Sequence, residues 1–228
     1  MIKEKVKELF SRIPSYVEVV VAAKKRSPQD IKEAIEAGIE IIGENYVQEA
    51  ERKKVALAFL DKKISWHLIG HLQKNKVKKA VKIFDLIQTL DSTELAELID
   101  RECKKLNKVM PVMIEINIAS EPQKSGVLPE DIVKFIDKFL KEDFKYIKLT
   151  GLMTMGPFLK DREKLRPYFR KTKEIFEEIK NKYKELEELK YLSMGMSDDF
   201  HIALEEGSNM LRLGRIIFDE DYPLPHSE

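Results

Sequence analysis

Cysteine and tryptophan each occur once among the 228 residues, and glycine occurs only nine times. The lone Cys103 excludes an internal disulfide, and this scarcity is typical of proteins from the reducing cytoplasm. No apolar run approaches the roughly 20 residues that cross a bilayer, and residues 1–10 lack the apolar centre of a signal peptide. We therefore expect a cytoplasmic protein with no membrane partner.

Net charge is also nearly absent, because 41 basic residues face 40 acidic ones and leave a formal charge of +1. No whole-protein basic field is available to attract nucleic acid, so a nucleic-acid partner is not expected. No linker, internal repeat or low-complexity segment divides the chain. A length of 228 residues is enough for one large domain, and we expect residues 1–228 to form a single one.

Apolar segments rich in β-branched residues alternate along the chain with segments of helical periodicity. The predicted strands are 17–24, 39–45, 66–70, 84–90, 112–117, 147–155, 191–196 and 210–218. Eight parallel strands with intervening helices close a (β/α)8 barrel. An open doubly wound sheet is the alternative, but it has fewer strands as a rule and its Gly-rich dinucleotide fingerprint is missing here.

Two helical segments are predicted near the C-terminal end. The longest predicted helix covers 161–189, and the last one, 197–207, is expected to begin with Ser197 as its capping residue. The tail that follows the eighth strand is too short and too rich in proline for an eighth outer helix. The amphipathic segment 2–13 is expected to cover that position.

In a (β/α)8 barrel the chemistry lies at the carboxyl ends of the strands. Polar residues gather at those predicted ends, namely Lys24, Asn45, His71, Asn117, Thr154, Ser197, Arg212, Gly214 and Arg215. This set contains no pair of acids, no Ser/His/Asp triad and no metal-ligand cluster. His67 and His71 are four residues apart on a predicted strand rather than on a helix, so they do not form a helical metal pair.

The period of two along a strand separates the adjacent lysines of "VEVVVAAKKRSP". Val17, Val19, Val21, Ala23 and Lys25 share the more apolar face, which suits packing under helices. Lys24 shares the other face, which suits the interior of the barrel and its mouth. The alternative is that both lysines cap the strand end and extend into solvent.

The last two strands favour an anion site. In "SMGMS" and "LRLGR", glycines share a face with polar residues, which lets a ligand approach the backbone. A phosphate site after the seventh and eighth strands recurs in these barrels. The alternatives are a serine cap with glycine packing and no ligand, or a phosphate-binding barrel enzyme of another kind.

At these residues the sequence resembles the pyridoxal phosphate homeostasis protein family. The matching segments occur in the family's order over nearly the whole chain. They are "VAAKKRSPQDIKEAIEAG", "GENYVQEA", "WHLIGHLQKNKVK", "VMIEINIASEPQKSG", "GLMTMGP", "RPYFRK" and "LSMGMSDDFHIALEEGSNMLRLG". The resemblance implies a single (β/α)8 barrel like the N-terminal domain of alanine racemase, with pyridoxal 5′-phosphate (PLP) as its cofactor.

The resemblance also assigns roles to residues. Lys24 would carry PLP as a Schiff base, Ser197 and Gly214 would bind its phosphate, and Arg212 would face the pyridine nitrogen. The remaining residues assigned to the cofactor pocket are Asn45, His71, Met153 and Arg215. This chain has Lys25 and Arg215 where the family usually has threonine. A cation next to Lys24 is expected to lower the pKa of its amine.

The function implied is a monomeric PLP carrier that buffers the cofactor and affects amino-acid and keto-acid balance, with apo PLP-dependent enzymes as recipients. The alternative is an amino-acid racemase-like enzyme. Racemases of this fold use a second base from another domain of a partner subunit, and a chain that ends at Glu228 is expected to lack that domain. An arginine beside the pyridine nitrogen also makes PLP a poorer electron sink. The carrier, rather than an enzyme, is therefore the prediction.

Overall fold

A computed structural model describes residues 1–60 and 63–222 of the chain. Eight strands pair in parallel and in chain order, and the eighth pairs with the first, so the sheet is a closed barrel. The strands are β1 Glu18–Ala22, β2 Ile41–Glu44, β3 Ser65–Leu68, β4 Leu86–Leu90, β5 Met110–Ile116, β6 Ile147–Thr154, β7 Tyr191–Ser193 and β8 Met210–Leu213. The predicted (β/α)8 barrel is confirmed.

Helices precede the barrel and follow every strand. They are α1 Ile2–Arg12, α2 Pro28–Glu36, α3 Val47–Ala56, α4 Val77–Ile83, α5 Thr93–Lys104, α6 Ile132–Lys141, α7 Arg166–Lys182, α8 Phe200–Glu205 and α9 Arg215–Phe218. Single 3-10 turns lead into three of them, at Lys74–Lys76, Pro129–Asp131 and Arg162–Leu165. None of the helices in the described ranges is long and apolar enough to cross a membrane.

Two separate apolar clusters fill the molecule. The larger one lies between barrel and helices and includes Val19, Val21 and Ala23 of the first strand and its end. The smaller one, here called the lumen cluster, consists of Val20, Ile69, Leu86, Met113, Met153 and Met210, with Ala22 packed against it. The predicted division of the two faces of β1 is therefore confirmed for the residues that precede Lys24.

A capping box fixes the loop between β1 and α2. The Ser27 hydroxyl accepts the Asp30 N–H at 3.1 Å, and Asp30 Oδ2 accepts the Ser27 N–H at 3.0 Å. Pro28 occupies the first turn, where its missing N–H costs nothing. Because α2 begins at a defined residue, the short loop that carries Lys24 has a fixed end on each side.

Several predicted boundaries were wrong, and the strand predicted for 191–196 ends at Ser193. The strand predicted for 210–218 ends at Leu213, and its apolar end forms the short helix α9. The helix predicted for 161–189 is the 3-10 turn Arg162–Leu165 followed by α7, which ends at Lys182. The N-cap of α8 is Asp199 rather than Ser197, and Asp199 Oδ1 accepts the Met196 N–H at 2.7 Å.

Helix α1 contacts α9 and α2, which is the position predicted for the amphipathic N-terminal segment.

Candidate functional site

Lys24 lies in a turn immediately after β1, at the carboxyl end of the barrel. The Ala23 N–H donates to the Gly43 carbonyl at 2.9 Å, and the Arg26 N–H closes the turn on the Ala23 carbonyl at 2.9 Å. Lys25 has a left-handed φ of 61°. The Lys24 side chain is exposed, and its Nζ lies 5.5 Å from the ring centroid of Tyr46, just beyond β2. The amine is therefore accessible at the mouth of the barrel.

A buried ion pair supports this turn from the outer side. Lys53 Nζ of α3 donates to the Ala23 carbonyl at 2.8 Å and to Glu44 Oε1 at 2.6 Å. It also reaches Glu49 Oε2 at 3.4 Å, and that same oxygen accepts the Lys25 N–H at 3.5 Å. The three charged side chains therefore hold the backbone on both sides of Lys24.

Glu44 and Lys53 are almost completely withdrawn from water. The exposed fractions of their side chains are 0% and 9%. Burial raises the pKa of Glu44 above its ordinary value, although the Lys53 ammonium opposes that shift. Glu44 Oε2 has no hydrogen-bond partner within the described residues. Such a pair is costly to break, because the remaining charge would be left buried alone.

A hydroxyl and two backbone N–H groups meet between the loop after β7 and the start of α9. Ser197 Oγ accepts the Gly214 N–H at 3.2 Å and the Ile216 N–H at 3.3 Å. Gly214 packs closely on β1, because an added Cβ would lie 3.1 Å from the Ala22 carbonyl oxygen. The Ser197 hydroxyl thus serves α9 rather than α8, and it lies beside the strand that leads to Lys24.

The Arg215 guanidinium contacts an acidic and an aromatic side chain. Its Nη2 donates to Asp198 Oδ2 at 2.5 Å, and it stacks 5.2 Å from the ring centroid of Tyr222. The Asp198 carboxylate raises the pKa of Arg215 and also accepts Arg162 Nη2 at 2.7 Å.

Arg212 is a buried cation beneath the mouth. Its Nη1 donates to Ser193 Oγ at 2.8 Å and its Nη2 to the Thr154 carbonyl at 2.7 Å. Burial lowers its pKa to about 10, against the opposing effects of Asp199 and Glu115. The guanidinium therefore stays charged at neutral pH.

A hydrogen-bonded chain, which the sequence analysis missed, continues from Arg212 through the lumen. Ser193 Oγ donates to Gln88 Oε1 at 2.7 Å, and Gln88 Nε2 lies 3.1 Å from His67 Nδ1. His67 Nε2 lies 3.1 Å from Ser65 Oγ. Arg212 donates to Ser193, Ser193 donates to Gln88 Oε1, and the Gln88 amide N–H donates to His67 Nδ1. His67 Nδ1 must therefore accept, so the ring is neutral and carries its proton on Nε2. Burial agrees with this, because it lowers the pKa of His67 to about 4.

The other predicted site residues lie at different depths. Asn45 is half-buried at the end of β2, and its carbonyl oxygen would lie 2.5 Å from a Cβ added at Gly70. His71 is exposed, with Nδ1 3.4 Å from Asp91 Oδ2. Met153 belongs to the lumen cluster. The structure therefore brings Asn45 and His71 to the same end as Lys24, and it places Met153 inside the barrel.

Glu115 is a further lumenal residue that the sequence analysis missed. It is 6% exposed, and burial raises its pKa to about 7. The signal was available in "VMIEINI", where one acidic residue interrupts an otherwise apolar predicted strand. A carboxyl group with this pKa changes its charge near neutral pH.

We expect Glu115→Gln to stabilise the fold increasingly as the pH rises. Between pH 4.5 and about 7 the unfolded chain ionises Glu115 while the folded barrel keeps it protonated, so the wild type loses stability there. The variant does not titrate, and its advantage should grow by about 2.5 kcal/mol between pH 5 and pH 8. Urea unfolding at four pH values measures this. The exposed Glu188→Gln is the control, with a constant difference expected, and parallel curves for Glu115→Gln would contradict the prediction.

Sequence comparison assigns the fold to a class. The family model of the alanine racemase N-terminal domain matches residues 2–221. The solved alanine racemase of Clostridium difficile 630 in complex with cycloserine superposes with a TM-score of 0.72 at 17% identity. That match covers 98% of this chain and 60% of the racemase, and at this identity it shows the fold alone. The protein is a barrel of the alanine racemase N-terminal type.

Two relatives define the group more narrowly. The pyridoxal phosphate homeostasis protein of Aquifex aeolicus (strain VF5) is 39% identical over 217 residues, which cover 95% of this chain and 92% of that one. The structure of PipY from Synechococcus elongatus PCC7942, with PLP bound, matches with a TM-score of 0.88 at 31% identity. It covers 96% of this chain and 100% of PipY. The chain therefore belongs to the pyridoxal phosphate homeostasis protein family.

Proposed function

We propose that the chain binds PLP at the carboxyl end of its barrel and carries it on Lys24 in the service of PLP homeostasis. One observation carries the proposal: the accessible Lys24 amine follows β1, and the Ser197–Gly214 pocket lies beside β8, the strand that pairs with β1. An amine and an anion pocket on adjacent strands match a ligand with an aldehyde and a phosphate. The PLP-bound structure of the relative PipY supports this assignment.

The residues of the pocket fit a phosphate group. Ser197 supplies a hydroxyl, and the N–H groups of Gly214 and Ile216 already point toward that hydroxyl. Phosphate oxygens in other proteins accept hydrogen bonds from donors of this kind. Gly214 also keeps the space next to Ala22 open, because a side chain there would press against the β1 backbone.

The chemistry at Lys24 is that of a primary amine. Lys24 would hold PLP through its aldehyde carbon as a Schiff base, with the loss of one water. Lys24 Nζ acts as the nucleophile only in its unprotonated form. The Lys53 network fixes the Ala23 carbonyl, and so it limits where the Lys24 side chain begins.

Arg212 supports a carrier rather than an enzyme. Its guanidinium lies in the lumen, where it holds the Ser193 hydroxyl and the Thr154 carbonyl. We propose that it faces the pyridine nitrogen. A permanent cation at that position opposes protonation of the nitrogen and weakens the ring as an electron sink. Asn45, His71, Met153 and the Arg215 backbone complete the proposed pocket.

The proposed setting is the cytoplasm, with the monomeric chain handing PLP to apo PLP-dependent enzymes and thereby affecting amino-acid and keto-acid balance. The test loads the protein with PLP, removes the excess and adds an apo enzyme together with a phosphatase that consumes free PLP. We expect the enzyme to regain activity faster than PLP is released spontaneously.

Two results would contradict the proposal. One is failure of the chain to take up PLP at all. The other is racemisation of an amino acid at many turnovers per chain, which would favour the racemase-like alternative.

A further inference from the structure

One buried carboxyl group close to the mouth takes no part in the PLP binding proposed above. Glu115 is the second-last residue of β5, and it shares the inward face of that strand with Met113 of the lumen cluster. Its partner in register on β6 is Met153, another member of the same cluster. Glu115 Oε2 has no hydrogen-bond partner in residues 1–60 and 63–222. An acid is thus directed into the lumen with one carboxylate oxygen left without a hydrogen bond.

The charged groups around Glu115 come from three elements. Asp91, after β4, raises the pKa of Glu115, while Arg212 of β8 and Lys124 of the loop after β5 lower it. The largest effect is burial, which favours the protonated acid. Lys124 also donates to the Gly156 carbonyl at 3.2 Å and pairs with Glu121. Neither nearby cation is therefore committed to Glu115 by a direct hydrogen bond.

We propose that Glu115 is a proton-linked residue of the cofactor site, which takes up a proton when PLP is loaded and releases it when PLP leaves. This inference rests on the proposed function. The geometry supports it, because Glu115 and Arg212 interact within the same lumen, directly beneath the mouth that PLP is proposed to cover.

The direction of the effect follows from charge and hydration. PLP brings a phosphate and a phenolate-type oxygen, and added negative charge favours the neutral form of a nearby carboxyl group. A ring over the lumen also removes water from Glu115, which acts in the same direction. By linkage, the protonated protein must bind PLP more tightly than the ionised one. The contribution of Glu115 should therefore make PLP binding weaker at pH 8.5, where the carboxyl group is ionised, than at pH 6, where it is protonated.

The test compares the wild type with Glu115→Gln, which has the shape of the protonated acid and cannot ionise. PLP affinity is measured by absorbance titration from pH 6 to pH 8.5. We expect equal affinities at pH 6, and about 5-fold or more tighter binding by the variant at pH 8.5, within the usual range of coupling between two sites. Calorimetry in buffers of different ionisation enthalpy should show that the wild type takes up more protons than the variant near pH 7.

A second variant tests whether the pH dependence arises from Glu115. Asp91→Asn removes the acid that opposes ionisation of Glu115, so the pH at which affinity begins to fall should move downward. Equal affinities and equal proton counts for wild type and Glu115→Gln at every pH would overturn the inference. Weaker binding by Glu115→Gln at pH 8.5 would also overturn it. If neither protein takes up PLP, the proposed function itself fails, and that result is distinct from both.

Discussion

Lys24→Ala is expected to abolish covalent loading with PLP and to leave the fold intact. The Lys24 side chain is exposed and its nearest ring contact is the exposed Tyr46, so its removal leaves no cavity. Only noncovalent contacts with the phosphate and the ring would remain, and we expect affinity to fall by at least about tenfold, or about 1.4 kcal/mol. Absorbance titration follows the loss of the visible Schiff-base band, and thermal unfolding checks the fold.

Lys25→Ala is the matched control. It removes a cation of the same kind one residue away, and alanine at the left-handed φ of 61° is strained no more than lysine is. We expect the control to keep the visible band. A band that persists in Lys24→Ala and disappears in Lys25→Ala would show that Lys25, and not Lys24, carries PLP.

Lys53→Met is expected to cost about 3–5 kcal/mol of unfolding free energy, because it leaves the Glu44 carboxylate buried without its partner. It also removes the hydrogen bond to the Ala23 carbonyl, the residue before Lys24. Urea unfolding measures the loss. The double variant Glu44→Gln/Lys53→Met should recover part of it, since no unpaired charge is left in the interior.

A surface ion pair provides the comparison. Lys79 lies 2.5 Å from Glu51 across α3 and α4, with side chains 47% and 42% exposed. Lys79→Met should cost less than about 1 kcal/mol, since exposed pairs contribute little. Equal losses for Lys53→Met and Lys79→Met would show that the buried network does not support the β1 turn as described.

The barrel could be predicted because its signal is local and repeated. Eight apolar strands separated by helical segments define the topology, and the alternation in β1 separates Val20 and Ala22 from Val19 and Val21 as the structure does. The family followed from long motifs that occur in order. These features depend on periodicity and composition, which a single chain displays directly.

The end of β8 could not be predicted, because its cause lies elsewhere in the chain. The segment "LRLGRIIF" has the apolar pattern of one long strand. In the folded protein Ser197 accepts the N–H groups of Gly214 and Ile216, 17 and 19 residues further along, and this favours a helical turn. The same residue looked like the cap of α8, a position that Asp199 takes instead.

The lumenal polar groups were missed for a related reason. Gln88, Ser193 and His67 are separated by many residues in sequence, and only closure of the barrel joins them to Arg212. Glu115 stands in a strand whose other residues are apolar, and its burial depends on closure as well. Of these residues Glu115 leaves a local signal, as the acid within "VMIEINI", but that signal does not reveal which groups face it across the barrel.

The central claim is that PLP is carried on Lys24. Its most direct test reduces the loaded wild-type protein with borohydride, digests it and maps the pyridoxyl group by mass spectrometry. The account predicts one modified residue per chain, at Lys24. Modification at Lys25, Lys53 or Lys124 instead, or no stable adduct on a protein that has taken up PLP, would contradict it.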